Sequence, residues 1–230
     1  MKGIFIVIDG IDGSGKKTQT ENLVKKLQAQ NRKVKTIDFP QYYDNFFGKT
    51  VSRYLSGELG TSKQVNPFIA SVLYAADRFE SSEKIREWLE KGFVVISDRY
   101  TSSNQIHQGG KIKDPQKRTA FLKWLDEMEF GVFKIPKPDL IVYLNMPCGF
   151  SEKLLTNTDA KDRKKYSENQ TDIHESDPEH LQNARKSALK LVREKNNWVN
   201  VECVENDKLL SIENIANKIW NKIKPFLDDN

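Results

Sequence analysis

Two glycines and a lysine near the N-terminus have the spacing of a phosphate-binding loop, Gly10-x-x-x-x-Gly15-Lys16. Residues 4–8 are apolar and mostly β-branched, which predicts a buried strand, and a helical pattern follows the loop. Glycines let backbone N–H groups turn toward an anion, and the helix dipole and the Lys16 ammonium add positive charge. The alternative is a glycine turn without a ligand. We expect a site for nucleotide phosphates, formed by Gly10, Ile11, Asp12, Gly13, Ser14, Gly15, Lys16, Lys17 and Thr18.

The residue after the loop lysine departs from this pattern. A serine or threonine usually stands there and ligates Mg²⁺, whereas this chain has Lys17. Because an ammonium group cannot ligate a metal, nucleotide phosphates, water and carboxylates would have to hold the ion.

A second candidate group, Asp98-Arg99-Tyr100, follows the apolar run at residues 93–97. An acid at the end of a strand is well placed to hold Mg²⁺, directly or through water, and the sequence therefore predicts Asp98 as a metal ligand. The neighbouring Arg99 has the forked geometry that binds phosphate. The alternative is a structural ion pair between the two side chains.

The elements that must position these residues alternate between strands and helices. Besides the first strand, apolar runs predict strands near residues 33–39, 93–97, 139–145 and 198–204. This alternation indicates an α/β fold with a parallel sheet of five strands, in one domain over residues 1–230. Ligands of such sheets bind at the carboxyl ends of the strands.

A long helix is predicted from Asn66-Pro67 to Gly92, because asparagine caps helices and proline fits the first helical position. Tyr74 and Arg78 share one face of it. They could hold a base and a phosphate, or both could be surface groups. The spacing predicts a different face as the core face, formed by Phe68, Ile69, Val72, Leu73, Ala76 and Phe79.

The composition is that of a globular enzyme, with 37% hydrophobic and 30% charged residues in a chain of 230. The net charge of +5 comes from interspersed residues of both signs, and no basic arm alternates with aromatics, so we expect no nucleic-acid partner. No apolar run is long enough for a membrane span or a signal peptide, which favours a cytoplasmic protein without a membrane partner. Cys148 and Cys203 lack metal-ligand spacing and are predicted to be ordinary thiols.

Residues 150–177 are polar and contain the basic cluster Arg163-Lys164-Lys165. Such a segment is either a solvated loop or, in an enzyme with a phosphate loop, a mobile lid that closes over the γ-phosphate. We expect the lid.

Taken together, these motifs resemble the thymidylate kinases, nucleoside-monophosphate kinases that make dTDP from dTMP and ATP. The resemblance spans nearly the whole chain, and no single motif carries it alone. Its residues are Asp12-Gly13-Ser14-Gly15-Lys16 with Thr18-Gln19, Phe39-Pro40-Gln41-Tyr42, Tyr74 with Asp77-Arg78, Asp98-Arg99-Tyr100, Gln108-Gly109-Gly110 and Pro138-Asp139-Leu140. The family implies a three-layer α/β/α fold of the P-loop NTPase type with a lid, ATP and dTMP as substrates, Mg²⁺ as cofactor and a homodimer.

The resemblance also implies roles for individual residues. Asp12 would lie near the sugar and phosphate of dTMP, Arg99 would bind its phosphate, and Lys16 would act on the transferred group. Because Gly13 stands where some members have a loop arginine, the catalytic arginine would be Arg163 in the lid, helped by Lys164 or Lys165. The dTMP site would comprise Asp12, Phe39, Tyr42, Tyr74, Arg78, Arg99, Asn104, His107 and Gln108, with Tyr74 stacked on thymine and Arg78 bonded to the base.

Two departures from the family pattern leave alternatives open. His107 stands where the family usually has tyrosine or phenylalanine, a ring that crowds the sugar 2′ position, so the sugar preference stays open. The alternatives are a kinase for another nucleoside monophosphate or a deoxynucleoside, and a nucleotide-binding regulator whose Lys17 reflects lost catalysis.

Overall fold

A computed structural model describes residues 2–61, 64–157 and 178–228 of the chain. Five parallel strands form the central sheet in the order β2-β3-β1-β4-β5, and helices flank it. This confirms the predicted three-layer α/β/α architecture. The strands are β1 (Ile4–Gly10), β2 (Val34–Asp38), β3 (Val94–Asp98), β4 (Leu140–Asn145) and β5 (Trp198–Glu202). A short antiparallel ribbon follows, made of β6 (Val204–Glu205) and β7 (Lys208–Leu209).

The helices of the described ranges connect these strands. Two of them run into π-helical turns: Asn104–Gln108 after α5 and Glu127–Val132 after α6. None of the helices in these ranges is both long and apolar enough to cross a membrane. They are α1 (Lys16–Ala29), α2 (Phe46–Leu55), α3 (Pro67–Glu80), α4 (Ser82–Glu90), α5 (Thr101–Ser103), α6 (Pro115–Asp126), α7 (Cys148–Asn157), α8 (Pro178–Glu194) and α9 (Ile212–Asp228).

Strand β1 lies at the centre of the sheet, and all seven of its residues are buried. It pairs with β3 so that Ile8 lies opposite Asp98. The carboxyl ends of the two strands therefore lie side by side, which brings the glycine loop after β1 next to the Asp98-Arg99-Tyr100 segment. The sheet itself creates this proximity between residues about ninety positions apart in the chain.

The predicted long helix is wrong in one respect, because the chain forms two helices separated at Ser81. The predicted start is confirmed: the Asn66 side chain accepts a hydrogen bond from the Phe68 backbone N–H at 2.9 Å, and Pro67 is the first helical residue.

The predicted core face of α3 is confirmed at Ala76, which is buried, and at Leu73, which packs against a buried cluster, but it is wrong at the other four residues. Ile69 is 61% exposed and Phe79 is 50% exposed, and Phe68 and Val72 are also among the exposed apolar residues. The buried residues of α3 are Ala70, Ser71, Ala75, Ala76, Asp77 and Arg78. Polar side chains are buried on this face because they bind neighbouring loops and line a pocket, which hydrophobic periodicity does not register.

The first part of the predicted lid is helical, because residues 150–157 belong to α7. The rest of that segment lies outside the described residues. Both cysteines are free thiols, and burial raises the pKa of Cys203 to about 12, in agreement with the prediction of ordinary thiols.

Candidate active site

The glycine loop joins β1 to α1 with two backbone conformations that favour glycine. Gly13 and Gly15 have φ angles of 73° and 81°. At Gly13 a Cβ atom would also lie only 2.5 Å from the Ser151 carbonyl oxygen of α7. The structure therefore gives a physical reason why no larger residue, arginine included, stands at this loop position.

Lys16, the first residue of α1, is 8% exposed. Its Nζ donates a hydrogen bond to the Ile11 carbonyl at 2.9 Å, so the ammonium lies back along the loop. Burial lowers the pKa of Lys16, and the positive charge of Arg99 acts in the same direction, whereas Asp12, Asp98 and Asp9 oppose the shift. An anion bound in the loop would replace some of the lost solvation, which is what a phosphate site requires.

Arg99 connects the loop to the neighbouring strand end. Its backbone has a φ angle of 67°, an uncommon conformation for a residue with a side chain, and its N–H donates to the Ile8 carbonyl at 3.0 Å. The guanidinium donates to Asp12 and contacts His107 Nε2 at 3.2 Å. Arg99 is thus held at the junction between the phosphate loop and the residues that follow β3.

Asp9 is a structural residue of this junction that the sequence analysis missed. It is fully buried, and its Oδ1 accepts from the Gly10 N–H at 2.7 Å. Its Oδ2 accepts from the hydroxyls of Ser102 and Ser103. A carboxylate at the end of an otherwise apolar strand is the signal that would have identified it, because such a group must find donors when buried.

A pocket with an empty volume of about 540 Å³ opens beside this junction. All nine residues predicted for the dTMP site lie along it. Gln108 Oε1 is a buried acceptor that has no hydrogen-bond partner among the described residues. The full lining consists of Asp12, Phe39, Pro40, Tyr42, Leu55, Tyr74, Arg78, Arg99, Tyr100, Ser103, Asn104, His107 and Gln108.

Arg78 is 2% exposed, so the alternative that it is a surface group is wrong. Its Nε and Nη2 donate to the two carboxylate oxygens of Glu129 at 2.7 and 2.8 Å, and its Nη1 donates to the Tyr100 carbonyl at 3.4 Å. Glu129 is a second residue that the sequence analysis missed. It lies fifty-one positions from Arg78 in a π-helical turn, and no local pattern connects the two.

Asp77 fixes the turn that carries Phe39 and Tyr42. Its carboxylate accepts from the Gln41 N–H at 3.0 Å and from Asn45 Nδ2 at 2.9 Å. Burial raises the pKa of Asp77, and these hydrogen bonds act against that shift. Helix α3 therefore supplies both a wall of the pocket and the anchor for the opposite turn.

His107 connects the pocket to α8. Its Nδ1 lies 3.2 Å from Nε2 of His180, and the two rings stack with centroids 5.4 Å apart. His180 lies in the first turn of α8 and is 6% exposed. The pair links this pocket to the helix that begins where the predicted lid ends.

These structural features can be compared with known proteins. A sequence profile described as thymidylate kinase matches residues 8–219, which is most of the chain. This chain belongs to the thymidylate kinase family. A thymidylate kinase of Plasmodium falciparum is 29% identical over 225 residues, covering 97% of this chain and 92% of the relative. One of Schizosaccharomyces pombe is 34% identical over 145 residues, covering 63% of this chain and 62% of the relative.

A solved structure agrees with the family assignment at the level of the fold. The thymidylate kinase of Candida albicans, whose description refers to broad substrate specificity, aligns with a TM-score of 0.73 at 23% identity. The alignment covers 100% of this chain and 94% of that structure. The thymidylate kinase family is one of ATP-dependent phosphotransferases, and this chain is a nucleoside-monophosphate kinase of that class.

The thymidylate kinase fold implies Mg²⁺, and the carboxylates at this edge of the sheet can be tested for it. In the described ranges, no three His, Cys, Asp or Glu side chains are grouped closely enough to hold a metal on their own. Asp12 is paired with Arg99 and Asp9 binds the loop, whereas Asp98 is the third carboxylate near Lys16. This set fits an ion held mainly by nucleotide phosphates and water, with one protein carboxylate nearby. Lys17 is exposed.

The predicted lid cations Arg163, Lys164 and Lys165 lie outside the described residues.

Proposed function

We propose that this chain transfers the γ-phosphoryl group of ATP to dTMP, giving dTDP and ADP for deoxynucleotide synthesis. The observation that carries the proposal is the contact between two sites. The Lys16 loop and the pocket with all nine predicted acceptor residues share one edge of the sheet, where Arg99 and Asp12 pair. A kinase needs this arrangement because donor and acceptor phosphates must lie close together and in line.

The residues of the chain have distinct roles in this transfer. The loop amides and Lys16 bind the β- and γ-phosphates of ATP, and Arg99 binds the phosphate of dTMP. Asp12 holds Arg99 in place and lies beside the sugar. Tyr74, Arg78, Asn104 and Gln108 bind the base. When bound with the nucleotide, Mg²⁺ supplies charge neutralisation at the phosphates, and Asp98 is the carboxylate we assign to it.

The lid completes the donor site. Arg163, with Lys164 or Lys165 beside it, would neutralise charge on the transferred phosphoryl group, since Gly13 leaves the loop without an arginine. Arg163→Ala should then lower kcat much more than it raises KM for dTMP. A larger loss in Lys164→Ala or Lys165→Ala would move the role to that lysine.

A second copy of the chain is the partner we assign to the exposed face of α3. Apolar side chains concentrated on one helix face are typical of an interface. The residues are Phe68, Ile69, Val72 and Phe79. Sedimentation equilibrium should give a dimer for the wild type and a monomer for Ile69→Lys, whereas a monomeric wild type would contradict the assignment.

One assay tests the proposed reaction. ADP release is coupled to a spectroscopic signal with dTMP, dUMP, dCMP or UMP as acceptor. The proposal expects dTMP to give the highest kcat/KM. Faster turnover of another acceptor would make the chain a different nucleotide kinase, and ATP binding without turnover of any acceptor would favour the regulator. A protein that binds only ATP would have no use for the second pocket beside the glycine loop, which supports the kinase over the regulator.

A further inference from the structure

Glu129 is a buried carboxylate with no direct place in the proposed transfer. It is 1% exposed and lies in the π-helical turn after α6. It does not line the acceptor pocket, but it contacts two residues that do, Arg78 and Asn104. π-Helical turns are often found at functional sites.

The first contact fixes the direction of Arg78. Both carboxylate oxygens of Glu129 accept from one edge of the guanidinium, at 2.7 and 2.8 Å, in a forked pair that allows a single orientation. Nη1 carries a second N–H besides the one that donates to the Tyr100 carbonyl at 3.4 Å, and Arg78 lines the pocket with its guanidinium as the only polar group of the side chain. Arginine has no acceptor, so at this point the pocket can only donate.

The second contact fixes the orientation of the Asn104 amide. Asn104 Nδ2 donates to the Ser71 carbonyl at 3.1 Å and to Glu129 Oε1 at 3.3 Å. In the opposite orientation the amide oxygen would face two acceptors, which is unfavourable in a buried site. Nδ2 is therefore directed away from the pocket, and Oδ1 is the polar atom of Asn104 that remains for a ligand.

Glu129 thus creates a donor from Arg78 next to an acceptor from Asn104. Thymine and uracil present the complementary pair, an O4 acceptor beside an N3–H donor. Cytosine presents the reverse pair, an N4 amino donor beside an N3 acceptor. A cytosine base would place donor against donor and acceptor against acceptor in a buried pocket, which costs far more than a missing contact.

We propose that Glu129 is a positioning residue that sets the hydrogen-bond polarity of the base pocket, and so makes the enzyme select thymine or uracil over cytosine. The inference rests on the proposed function for the identity of the acceptor site. It adds to that function a residue outside the pocket that acts through Arg78 and Asn104.

The test compares dTMP with dCMP in Glu129→Gln. The ratio of kcat/KM for dTMP to that for dCMP should fall by about tenfold to a hundredfold, the range expected when a buried polar group loses its partner. A glutamine side chain can donate to Asn104 as well as accept from it. The Asn104 amide can therefore also take the opposite orientation. The equilibrium affinities for dTMP and dCMP, measured without ATP, should also become more similar to each other.

Asp126→Asn is the matched control. Asp126 is a partly buried carboxylate three residues away that accepts from Gln105 Nε2 at 2.9 Å and from Lys195 Nζ at 3.0 Å, outside the acceptor pocket. Its replacement removes the same charge and should lower the melting temperature without changing the dTMP/dCMP ratio.

A charge-conserving variant covers the case in which Glu129→Gln does not fold. Glu129→Asp keeps the negative charge that the buried Arg78 requires but withdraws the carboxylate by one methylene. It should fold and show an intermediate ratio. If either folded variant loses activity or affinity equally for both acceptors, with the ratio unchanged, Glu129 is only structural and the proposal fails.

The binding measurements separate the two proposals. If the protein phosphorylates neither nucleotide but its binding preference for dTMP over dCMP still depends on Glu129, only the proposed function is overturned.

Discussion

The two halves of the proposed active site are built in opposite ways. The donor half is one continuous segment, in which β1, the glycine loop and the start of α1 follow one another within residues 4–18. The acceptor half collects side chains from several distant segments, and buried polar contacts such as Arg78–Glu129 and Asp77–Gln41 hold them together. A local site is specified by its motif, whereas an assembled site depends on residues outside its own lining. Substitutions can test how far this difference extends.

The largest effect is expected in the donor half from Lys16→Ala. Removing the charge at the transferred phosphate should lower kcat by about a hundredfold or more. Steady-state ADP release measures it, and the affinity for dTMP should change little because Lys16 lies on the donor side. Lys16→Met is the control that keeps more of the buried side-chain volume, and near-normal turnover in both variants would rule out the phosphate-loop assignment.

Arg99→Ala should affect the acceptor half next. Arg99 is proposed to bind the dTMP phosphate, so kcat/KM for dTMP should fall by about tenfold to a hundredfold, as for other charge-assisted contacts. Its pairing with Asp12 makes it the point where the two halves meet. Isothermal titration with ATP alone should show little change, and a selective loss of ATP affinity would move Arg99 to the donor half. Arg53→Ala, which breaks an exposed ion pair with Glu58, is the control.

Asp98→Asn tests whether the metal binds at Asp98, where the two halves meet. The Mg²⁺ concentration for half-maximal activity should rise by about tenfold to a hundredfold, in the range for a residue that supports a metal through direct or water-mediated contact. A titration of activity against Mg²⁺ measures it. Asp38→Asn at the neighbouring strand end, opposite Asp98 in register, should leave the metal dependence unchanged. An unchanged titration curve in Asp98→Asn would remove Asp98 from the metal site.

Lys17→Thr should give the smallest effect. Lys17 is exposed, so its replacement should change activity by less than about threefold, as for other exposed substitutions. The same Mg²⁺ titration decides the point. A marked gain in apparent Mg²⁺ affinity in Lys17→Thr, with no effect in Asp98→Asn, would mean that Lys17 has displaced the ion and would favour the regulator.

The difference between the halves also explains which sequence-based predictions are confirmed. The class of the fold and the strand–loop–helix of the donor half follow from patterns within short windows, and the structure contains both. The predicted core face of α3 was wrong at four of its six residues because periodicity counts only apolar residues. In the structure Phe79 is 50% exposed, while Asp77 and Arg78 are buried because other segments supply hydrogen bonds to them.

The sequence by itself therefore determined the parallel α/β architecture and the glycine loop, and its resemblance to the thymidylate kinases implied the set of residues expected around the acceptor. The architecture and the loop depend on backbone conformation and hydrophobic spacing, which neighbouring residues determine. Only the tertiary structure decided that Asp9 ties the loop to α5, that α3 presents its polar face inward, and that Glu129 orients Arg78 and Asn104. Each of these depends on a buried polar group finding a partner far along the chain, and such a pairing exists only after the sheet has brought the segments together.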